Sequence, residues 1–173
     1  MADLQDRLRR VRALFCDVDG ILTDASIYVG EAGEYKRFSV RDGLGIVTWR
    51  REGYRIGWIS ARPSVATTIR AEELQIDFLV QQRGSKVRVI EELLATHGYV
   101  WEDVCYMGDD IVDLGPMSRA GLAVSVPNAH PEAVRRAHHV TTAPGGGGAV
   151  REVIELVLRA QGRWDRILKE HLA

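Results

Sequence analysis

The chain has 173 residues, of which 46% are hydrophobic and 27% are charged, the proportions of an ordinary soluble globular protein. Its net charge of −1 argues against a nucleic-acid or anionic-membrane partner. No segment approaches the roughly 18 consecutive apolar residues of a membrane helix, the N-terminus lacks the apolar stretch of a secretory signal, and two cysteines cannot build a disulfide framework. We therefore expect one domain, residues 1–173, in the cytoplasm.

Short apolar runs alternate with helical patterns along the chain. In chain order, the patterns predict a strand over 12–18, a hairpin with strands 26–30 and 35–40 around a turn at 31–34, a helix over 44–52, a strand over 54–60, a helix over 63–74, a strand over 77–80, a helix from an N-cap at 85 to 97, a strand over 104–108, a helix over 111–120, a strand over 122–126, and helices over 131–137 and 150–161. This alternation predicts an α/β fold with a doubly wound, mostly parallel sheet, which binds ligands beyond the carboxyl ends of its strands. The glycine-rich run 144–148 (PGGGG) is interpreted as a loop hinge, with a mobile functional segment as the alternative.

The strongest chemical signal is the peptide DVDGILTD (17–24), which ends the first predicted strand. If the strand ends at Asp17 and the chain turns at Gly20, the carboxylates of Asp17 and Asp19 converge on one pocket. One would then serve as a nucleophile and the other as a general acid and base. A surface acidic turn is the alternative for this peptide taken alone.

A second acidic cluster, GDDIVD (108–113), also follows an apolar strand. Carboxylates gathered at two strand ends are costly unless a cation neutralises them, and a few oxygen ligands favour Mg²⁺ over zinc or calcium. Between the two clusters, Ser60 ends an apolar strand and Lys86 begins a helix. A hydroxyl donor and a point positive charge are what a transferring phosphoryl group needs.

These four features, DVDGILTD, Ser60, Lys86 and GDDIVD, resemble the four motifs of the haloacid dehalogenase superfamily of phosphatases. Within it, the chain is similar over nearly its whole length to a subfamily whose substrate is 3-deoxy-D-manno-octulosonate 8-phosphate, an eight-carbon sugar-acid phosphate. The segments that carry this similarity are TDASIYVGEAGEYKRFSVRDGLGI, ISARPS, and the stretch from HHVTT to GGGGAVREVIELVL. The chain departs from the family pattern at Leu44, Ala61 and Ser85, none of which removes a catalytic group.

The resemblance implies a role for each matching residue. Asp17 would attack phosphorus and form an aspartyl-phosphate, and Asp19 would protonate the leaving oxygen and then activate water. Mg²⁺ would be bound by the Asp17 carboxylate, the Asp19 backbone carbonyl and Asp109. Ser60 and Lys86 would hold the phosphoryl oxygens.

Other charged residues have supporting roles in this interpretation. Asp110 and Asp113 would orient the metal ligands or the catalytic lysine. Arg62 would bind the phosphate or carboxylate of the substrate, since the guanidinium group makes bidentate contacts. Arg41 is a weaker candidate for the same task.

The 42 residues between Asp17 and Ser60 leave no room for the separate cap domain that many superfamily members insert there. The resemblance implies instead a homotetramer in which the hairpin at about 26–40 acts as a flap and a neighbouring subunit covers each site. The C-terminal helix and tail, at about 149–173, would reach a neighbour.

The sequence therefore predicts a Mg²⁺-dependent phosphatase that acts on a small-molecule sugar-acid phosphate. Three alternatives stay open at this point. One is a phosphatase for a nine-carbon phosphate of the sialic-acid type. The second is a catalytically silent oligomerisation module, and the third is a phosphomutase, which would retain the aspartyl-phosphate.

Overall fold

The computed structural model describes residues 3–31 and 33–172. In chain order the elements are α1 (Leu4–Arg10), β1 (Ala13–Cys16), β2 (Tyr28–Gly30), β3 (Gly33–Tyr35), α2 (Val40–Arg51), β4 (Arg55–Ser60), α3 (Val65–Glu73), β5 (Phe78–Gln81), α4 (Lys86–His97), β6 (Val104–Met107), α5 (Leu114–Arg119), β7 (Leu122–Ser125), α6 (Pro131–Arg136), β8 (His139–Val140), α7 (Ala149–Ala160) and α8 (Trp164–Glu170). Short 3-10 helices at Trp101–Asp103 and Ile111–Asp113 precede β6 and α5. Within the described ranges, no helix has the length and apolar character needed to span a membrane.

The main sheet has six strands in the order β5-β4-β1-β6-β7-β8, and every neighbouring pair is parallel. The chain moves outward from β1 to β4 and β5, then returns to the other side of β1 for β6, β7 and β8. The strand order therefore reverses between β1 and β6, where an open α/β sheet binds its ligands. This sheet confirms the predicted doubly wound α/β fold.

Both faces of the sheet are covered by helices. Along β1, Leu14 and Cys16 point to one face, and Ala13 and Phe15 point to the other, because successive strand residues alternate. On the Leu14 face, the core includes buried residues of α1, α2, α3, α7 and α8. On the Phe15 face, it includes residues of α4, α5 and α6. Strands covered on both sides are apolar throughout, which explains the uninterrupted runs in the sequence.

The hairpin forms, but its predicted boundaries are wrong. β2 pairs with β3 from Tyr28 opposite Tyr35 to Gly30 opposite Gly33, so each strand has only three residues. The predicted turn includes Ala32, which lies outside the described residues. The predicted second strand, 35–40, overlaps β3 only at Tyr35, since the chain leaves the hairpin there and enters α2 at Val40.

The start of α2 explains that error. The Ser39 side chain accepts a hydrogen bond from the Asp42 backbone N–H and caps a helix that begins four residues before the predicted position of 44. Other predicted ends shift by one or two residues, and the predicted helix 111–120 is divided into a 3-10 turn and α5. The helix cap at Ser85 is confirmed, since its hydroxyl accepts from the Arg88 N–H.

The glycine-rich run 144–148 makes close contacts with the backbone of another loop. The Gly146 backbone N–H donates to the Ile21 carbonyl over 2.9 Å, and a Cβ on Gly145 would collide with the Gly20 carbonyl. Gly146 also has a φ of +66°, which favours glycine. This run therefore packs directly against the DVDGILTD loop and supports it.

The C-terminal residues fold onto their own chain. In α8, Trp164 and Ile167 are buried, and Arg163 and Arg166 form ion pairs with Glu52 at the end of α2. Residues 164–170 lie against α7, and contact of the C-terminal tail with a neighbouring subunit stays a prediction.

Candidate active site

The DVDGILTD loop leaves β1 at the point where the strand order reverses. Asp17 is buried, and its backbone N–H donates to the Met107 carbonyl of β6 over 2.9 Å. The chain then turns at Gly20, which has a φ of +99°. A Cβ on Gly20 would collide with the Asp109 carboxylate, so glycine allows the two acidic loops to approach each other.

The second acidic loop is organised around Asp113, which is fully buried. Its Oδ1 accepts hydrogen bonds from Lys86 Nζ over 2.8 Å and Tyr106 Oη over 2.6 Å. Its Oδ2 accepts from the backbone N–H groups of Asp109, over 3.1 Å, and Asp110, over 3.2 Å. With four donors around it, Asp113 fixes both the lysine and the backbone of the loop.

Asp110 has a different position from Asp113. Its side chain is exposed and accepts from the Ile111 N–H over 2.7 Å, which caps the 3-10 helix. The lysine contact expected for this pair of aspartates is therefore made by Asp113.

Lys86 lies between two carboxylates. Its Nζ is 2.9 Å from Asp17 Oδ1 and 2.8 Å from Asp113 Oδ1. Burial lowers the pKa of Lys86, but the charges of Asp17 and Asp113 outweigh that effect and raise the pKa above its ordinary value. The side chain is therefore a buried ammonium ion at the floor of the site.

Three carboxylates gather at this point. Oxygen atoms of Asp17, Asp109 and Asp113 all lie within 4.8 Å of one another. Burial, together with the charge of Asp113, raises the pKa of Asp17 to about 6, against the opposing effect of Lys86. Burial, followed by the charges of Asp17 and Asp113, raises the pKa of Asp109 to about 7. The protein alone thus leaves negative charge incompletely neutralised here.

This arrangement fits a divalent cation. Asp109 Oδ1 is buried and has no hydrogen-bond partner among the described residues, which is costly unless a cation binds it. Carboxylate oxygens are the ligands that Mg²⁺ prefers. Asp113 is already saturated with donors, so the oxygen atoms left for a metal belong to Asp17 and Asp109.

Ser60 ends β4 beside the site and is buried. Its Oγ accepts from the Arg62 backbone N–H over 3.1 Å and lies 3.2 Å from the Arg62 carbonyl. The hydroxyl therefore closes a short turn that directs the Arg62 side chain towards the loop after β1, where Arg62 Nε lies 3.9 Å from Asp19 Oδ2. Arg41, by contrast, is exposed in the first turn of α2.

Two charged residues near Asp19 were not predicted as site residues: Glu34 in β3, and Lys36 directly after it. Lys36 Nζ lies 2.7 Å from Asp19 Oδ1, and its side chain has no exposed surface. Glu34 pairs with Arg62 Nη2 over 2.5 Å and accepts from Ser64 Oγ over 2.7 Å. Their spacing of two residues was the available signal, because such side chains share one face of an extended chain.

The chain is similar to known hydrolases over most of its length. The sequence profile of the haloacid dehalogenase-like hydrolases matches residues 51–154. A 3-deoxy-D-manno-octulosonate 8-phosphate phosphatase of Yersinia pestis is 42% identical over 164 residues, which cover 94% of this chain and 88% of that protein.

Two crystal structures extend the comparison. The Yersinia pestis phosphatase matches with a TM-score of 0.91 at 41% identity, covering 94% of this chain and 88% of its own. The 3-deoxy-D-manno-octulosonate 8-phosphate phosphatase of Moraxella catarrhalis, in complex with a magnesium ion, a phosphate ion and a KDO molecule, matches with a TM-score of 0.93 at 34% identity, covering 96% of this chain and 97% of its own. The chain is therefore a phosphoric monoester hydrolase and belongs to the haloacid dehalogenase-like family, among the 3-deoxy-D-manno-octulosonate 8-phosphate phosphatases.

Proposed function

We propose that this chain hydrolyses 3-deoxy-D-manno-octulosonate 8-phosphate to the free sugar acid and inorganic phosphate, with Mg²⁺ as cofactor and Asp17 as nucleophile. The observation that carries the proposal is the junction of β1 and β6, where Asp17, Asp109 and Lys86 meet. The relatives that share this fold over most of their length act on the same substrate.

In the first step, an Asp17 carboxylate oxygen attacks phosphorus while the bond from phosphorus to the sugar oxygen breaks. Asp19 gives its proton to that oxygen, and an aspartyl-phosphate forms. In the second step, Asp19 takes a proton from water, the water oxygen attacks phosphorus, and inorganic phosphate leaves Asp17.

The surrounding residues prepare these steps. Lys86 and Ser60 hold phosphoryl oxygens, and Arg62 binds an anionic group of the substrate. Bound Mg²⁺, held by Asp17, the Asp19 carbonyl and Asp109, supplies positive charge that offsets the charge of the transferring group. Asp113 keeps Lys86 in place, and Lys36 holds the Asp19 carboxylate on the hairpin side of the site.

The side chains of Asp17 and Asp19 have different surroundings. Asp17 is enclosed, with Lys86 as its partner, whereas Asp19 is a quarter exposed and faces the hairpin. That difference supports a division between a nucleophile and a proton-transfer group. It also favours a phosphatase over a phosphomutase, since water has access to Asp19.

The active form that we propose is an uncapped, single-domain homotetramer in the cytoplasm. Exposed apolar side chains on the hairpin support an assembly, because Val29 is 85% exposed and Tyr28 and Tyr35 are more than half exposed. Two buried free cysteines suit a reducing compartment. Light scattering after gel filtration measures the assembly directly, and a monomer would contradict it.

The function is tested by measuring phosphate release from three substrates, each with and without Mg²⁺. They are 3-deoxy-D-manno-octulosonate 8-phosphate, a nine-carbon sialic-acid-type 9-phosphate, and p-nitrophenyl phosphate. We expect the highest kcat/KM for the octulosonate ester, and no turnover with any substrate after EDTA treatment. Preference for the nine-carbon ester would support the phosphatase mechanism but reject the octulosonate ester as the substrate. Inactivity on all three esters would indicate an oligomerisation module.

A further inference from the structure

A pocket of about 750 Å³ lies at the edge of the sheet opposite the active site. It forms where α1 leads into β1, where α2 leads into β4, where α4 leads towards β6, and where α7 ends. We call it the arginine pocket, and its charged and aromatic lining consists of Arg9, Arg10, Arg12, Arg163, Glu52, Asp103, Tyr54 and Tyr99. Its volume is in the range of small-molecule binding sites.

The arginine pocket is positively charged. Four guanidinium groups face two carboxylates in its lining. Three of them are paired: Arg163 with Glu52 over 3.1 Å, Arg10 with Asp103 over 3.6 Å, and Arg9 with Asp6, outside the lining, over 3.3 Å. The remaining guanidinium, that of Arg12, gives the pocket an excess of positive charge. Clustered positive charge in a concave, partly enclosed site attracts anions.

Arg12 is the guanidinium in this pocket that is free to bind a ligand. It has no acidic group within ion-pair distance among the described residues, and its side chain is exposed. The backbone that carries this side chain is held in place, because the Arg12 N–H donates to the Asp103 carbonyl over 2.8 Å. The guanidinium carbon lies 5.9 Å from the centre of the Tyr99 ring.

The aromatic rings give the pocket a second kind of recognition surface. Tyr54 is packed between the guanidinium of Arg163, whose carbon lies 5.0 Å from its ring centre, and the ring of Trp49, at 4.5 Å between centres. Tyr99, beside Arg12, is the ring in the pocket that a ligand can reach. Both tyrosines are partly exposed. A planar ligand ring stacks on an aromatic face whatever substituents that ligand ring carries.

The shape of the pocket is held by Gln161, at the end of α7. Its Nε2 donates to the Val11 carbonyl over 2.8 Å and to the carbonyls of Leu8 and Arg9 over 3.3 Å. Its Oε1 accepts from Tyr54 Oη over 2.5 Å. One side chain thus joins three segments of the wall, so the cavity exists before a ligand binds.

We propose that the arginine pocket binds a nucleotide, with the phosphate group on Arg12 and its neighbouring arginines and the base on the Tyr99 ring. Guanidinium groups suit phosphate oxygens because they bind them through two parallel hydrogen bonds. The catalytic site is separate, since Arg12 immediately precedes β1 and Asp17 immediately follows it. Five residue-to-residue steps along an extended chain place their backbones about 16 Å apart.

The test is calorimetric titration of the full chain with AMP, without Mg²⁺ so that no hydrolysis occurs, and with adenosine and inorganic phosphate as separate ligands. We expect AMP to bind more tightly than either fragment. Arg12→Ala should weaken AMP binding at least about tenfold, whereas Arg135→Ala, an exposed arginine on α6, should leave it unchanged. Tyr99→Phe should retain AMP affinity, and Tyr99→Leu should reduce it without affecting inorganic phosphate.

Thermal melting and phosphate release show whether the Arg12 variants are folded and catalytically active. We expect Arg12→Ala and Arg12→Lys to fold and to hydrolyse the sugar-acid phosphate at the wild-type rate, since Arg12 lies outside the catalytic machinery. Equal AMP affinity in wild type and Arg12→Ala would overturn the proposal, because Arg12 would then make no contribution to nucleotide binding. Absence of AMP binding at millimolar concentration would overturn it as well.

Discussion

Asp17 and Asp109 carry the central electrostatic feature of this molecule. Both carboxylates are enclosed beside each other at the end of β1 and β6, and burial raises the pKa of Asp17 to about 6 and that of Asp109 to about 7. A carboxylate pair of this kind destabilises the metal-free fold at neutral pH, because the ionised forms lack water and repel each other. A divalent cation reverses that cost.

We therefore expect Asp109→Asn to have opposite effects on stability and on metal binding. Without Mg²⁺, the variant should melt at a higher temperature than wild type, since one buried charge is gone. The concentration of Mg²⁺ needed for half-maximal activity should rise at least about tenfold, since a ligand oxygen is lost. Thermal melting and activity titrations measure both effects, and a variant less stable than wild type in EDTA would contradict this account.

Asp113 has the opposite role, since it stabilises the fold through four accepted hydrogen bonds. In Asp113→Asn, the amide NH₂ must face either Lys86 or the two backbone N–H groups, so donors oppose donors. We expect a loss of about 3 kcal/mol in the free energy of unfolding, the scale found when one partner of a buried ion pair is removed. Urea unfolding measures it, with Asp165→Asn on the exposed face of α8 as the matched control. A loss equal to that of the control would refute the role.

At the residue scale, the sequence predicts which groups meet but not which contacts each one makes. The parallel sheet brings three of these groups to one edge, because Asp17 and Asp109 follow neighbouring strands and Lys86 begins the helix after β5. The difference between Asp110 and Asp113 depends on the 3-10 turn at Ile111–Asp113, which a helix pattern over 111–120 does not reveal.

Among the elements, the hairpin formed by β2 and β3 depends on the active site for its position. Two three-residue strands are marginal alone, and the contacts that hold them are made by Glu34 with Arg62 and Ser64, and by Lys36 with Asp19. These are contacts within one chain. The hairpin therefore has a defined position over its own site before any neighbour is added.

We expect Lys36→Met to loosen the hairpin without unfolding the sheet. The variant loses the ion pair with Asp19 and the hydrogen bond to Thr67 Oγ1, so hydrogen exchange of the hairpin amides should accelerate while β1 and β6 stay protected. Arg37→Met is the matched control, since the Arg37 side chain is 63% exposed. Equal exchange in the two variants would show that Lys36 does not hold the hairpin.

His138 makes the stability of the outer strands depend on pH. Its Nδ1 accepts a hydrogen bond from the Ala123 N–H of β7 over 2.9 Å, which requires the neutral ring. Burial, assisted by the charge of Arg7, lowers the pKa of His138 in the fold. Below about pH 6.5, the unfolded chain therefore binds more protons than the folded chain, and stability falls as pH falls.

Melting temperatures between pH 7.5 and 5.5 test this linkage. We expect the wild type to lose more stability than His138→Asn over this range, because the asparagine carbonyl accepts the same hydrogen bond without titrating. Parallel curves for the two proteins would contradict it.

For the whole molecule, the alternation of apolar runs and helical patterns predicts the sheet, because strands buried on both faces are apolar throughout. Features that depend on packing between distant segments are not predicted. Residues 164–170 form α8 because Trp164 and Ile167 fill the core beside α7, and the arginine pocket arises only where the N-terminus, the end of α2 and the end of α7 meet.

The glycine-rich run is another example at this scale. Its composition suggests a flexible loop, but its glycines are needed because the backbone of Gly145 contacts the backbone of Gly20. Close backbone approach and chain flexibility favour the same residue type, and only the fold distinguishes them.

The central claim is that Asp17 is the nucleophile of a Mg²⁺-dependent phosphatase. The most direct test is the rate of phosphate release from 3-deoxy-D-manno-octulosonate 8-phosphate, with saturating Mg²⁺, by wild type, Asp17→Asn and the control Asp165→Asn. We predict that kcat falls at least about a thousandfold in Asp17→Asn, with the control at the wild-type rate and all three proteins folded by circular dichroism. Folded Asp17→Asn that releases phosphate at a rate near that of wild type would contradict the account.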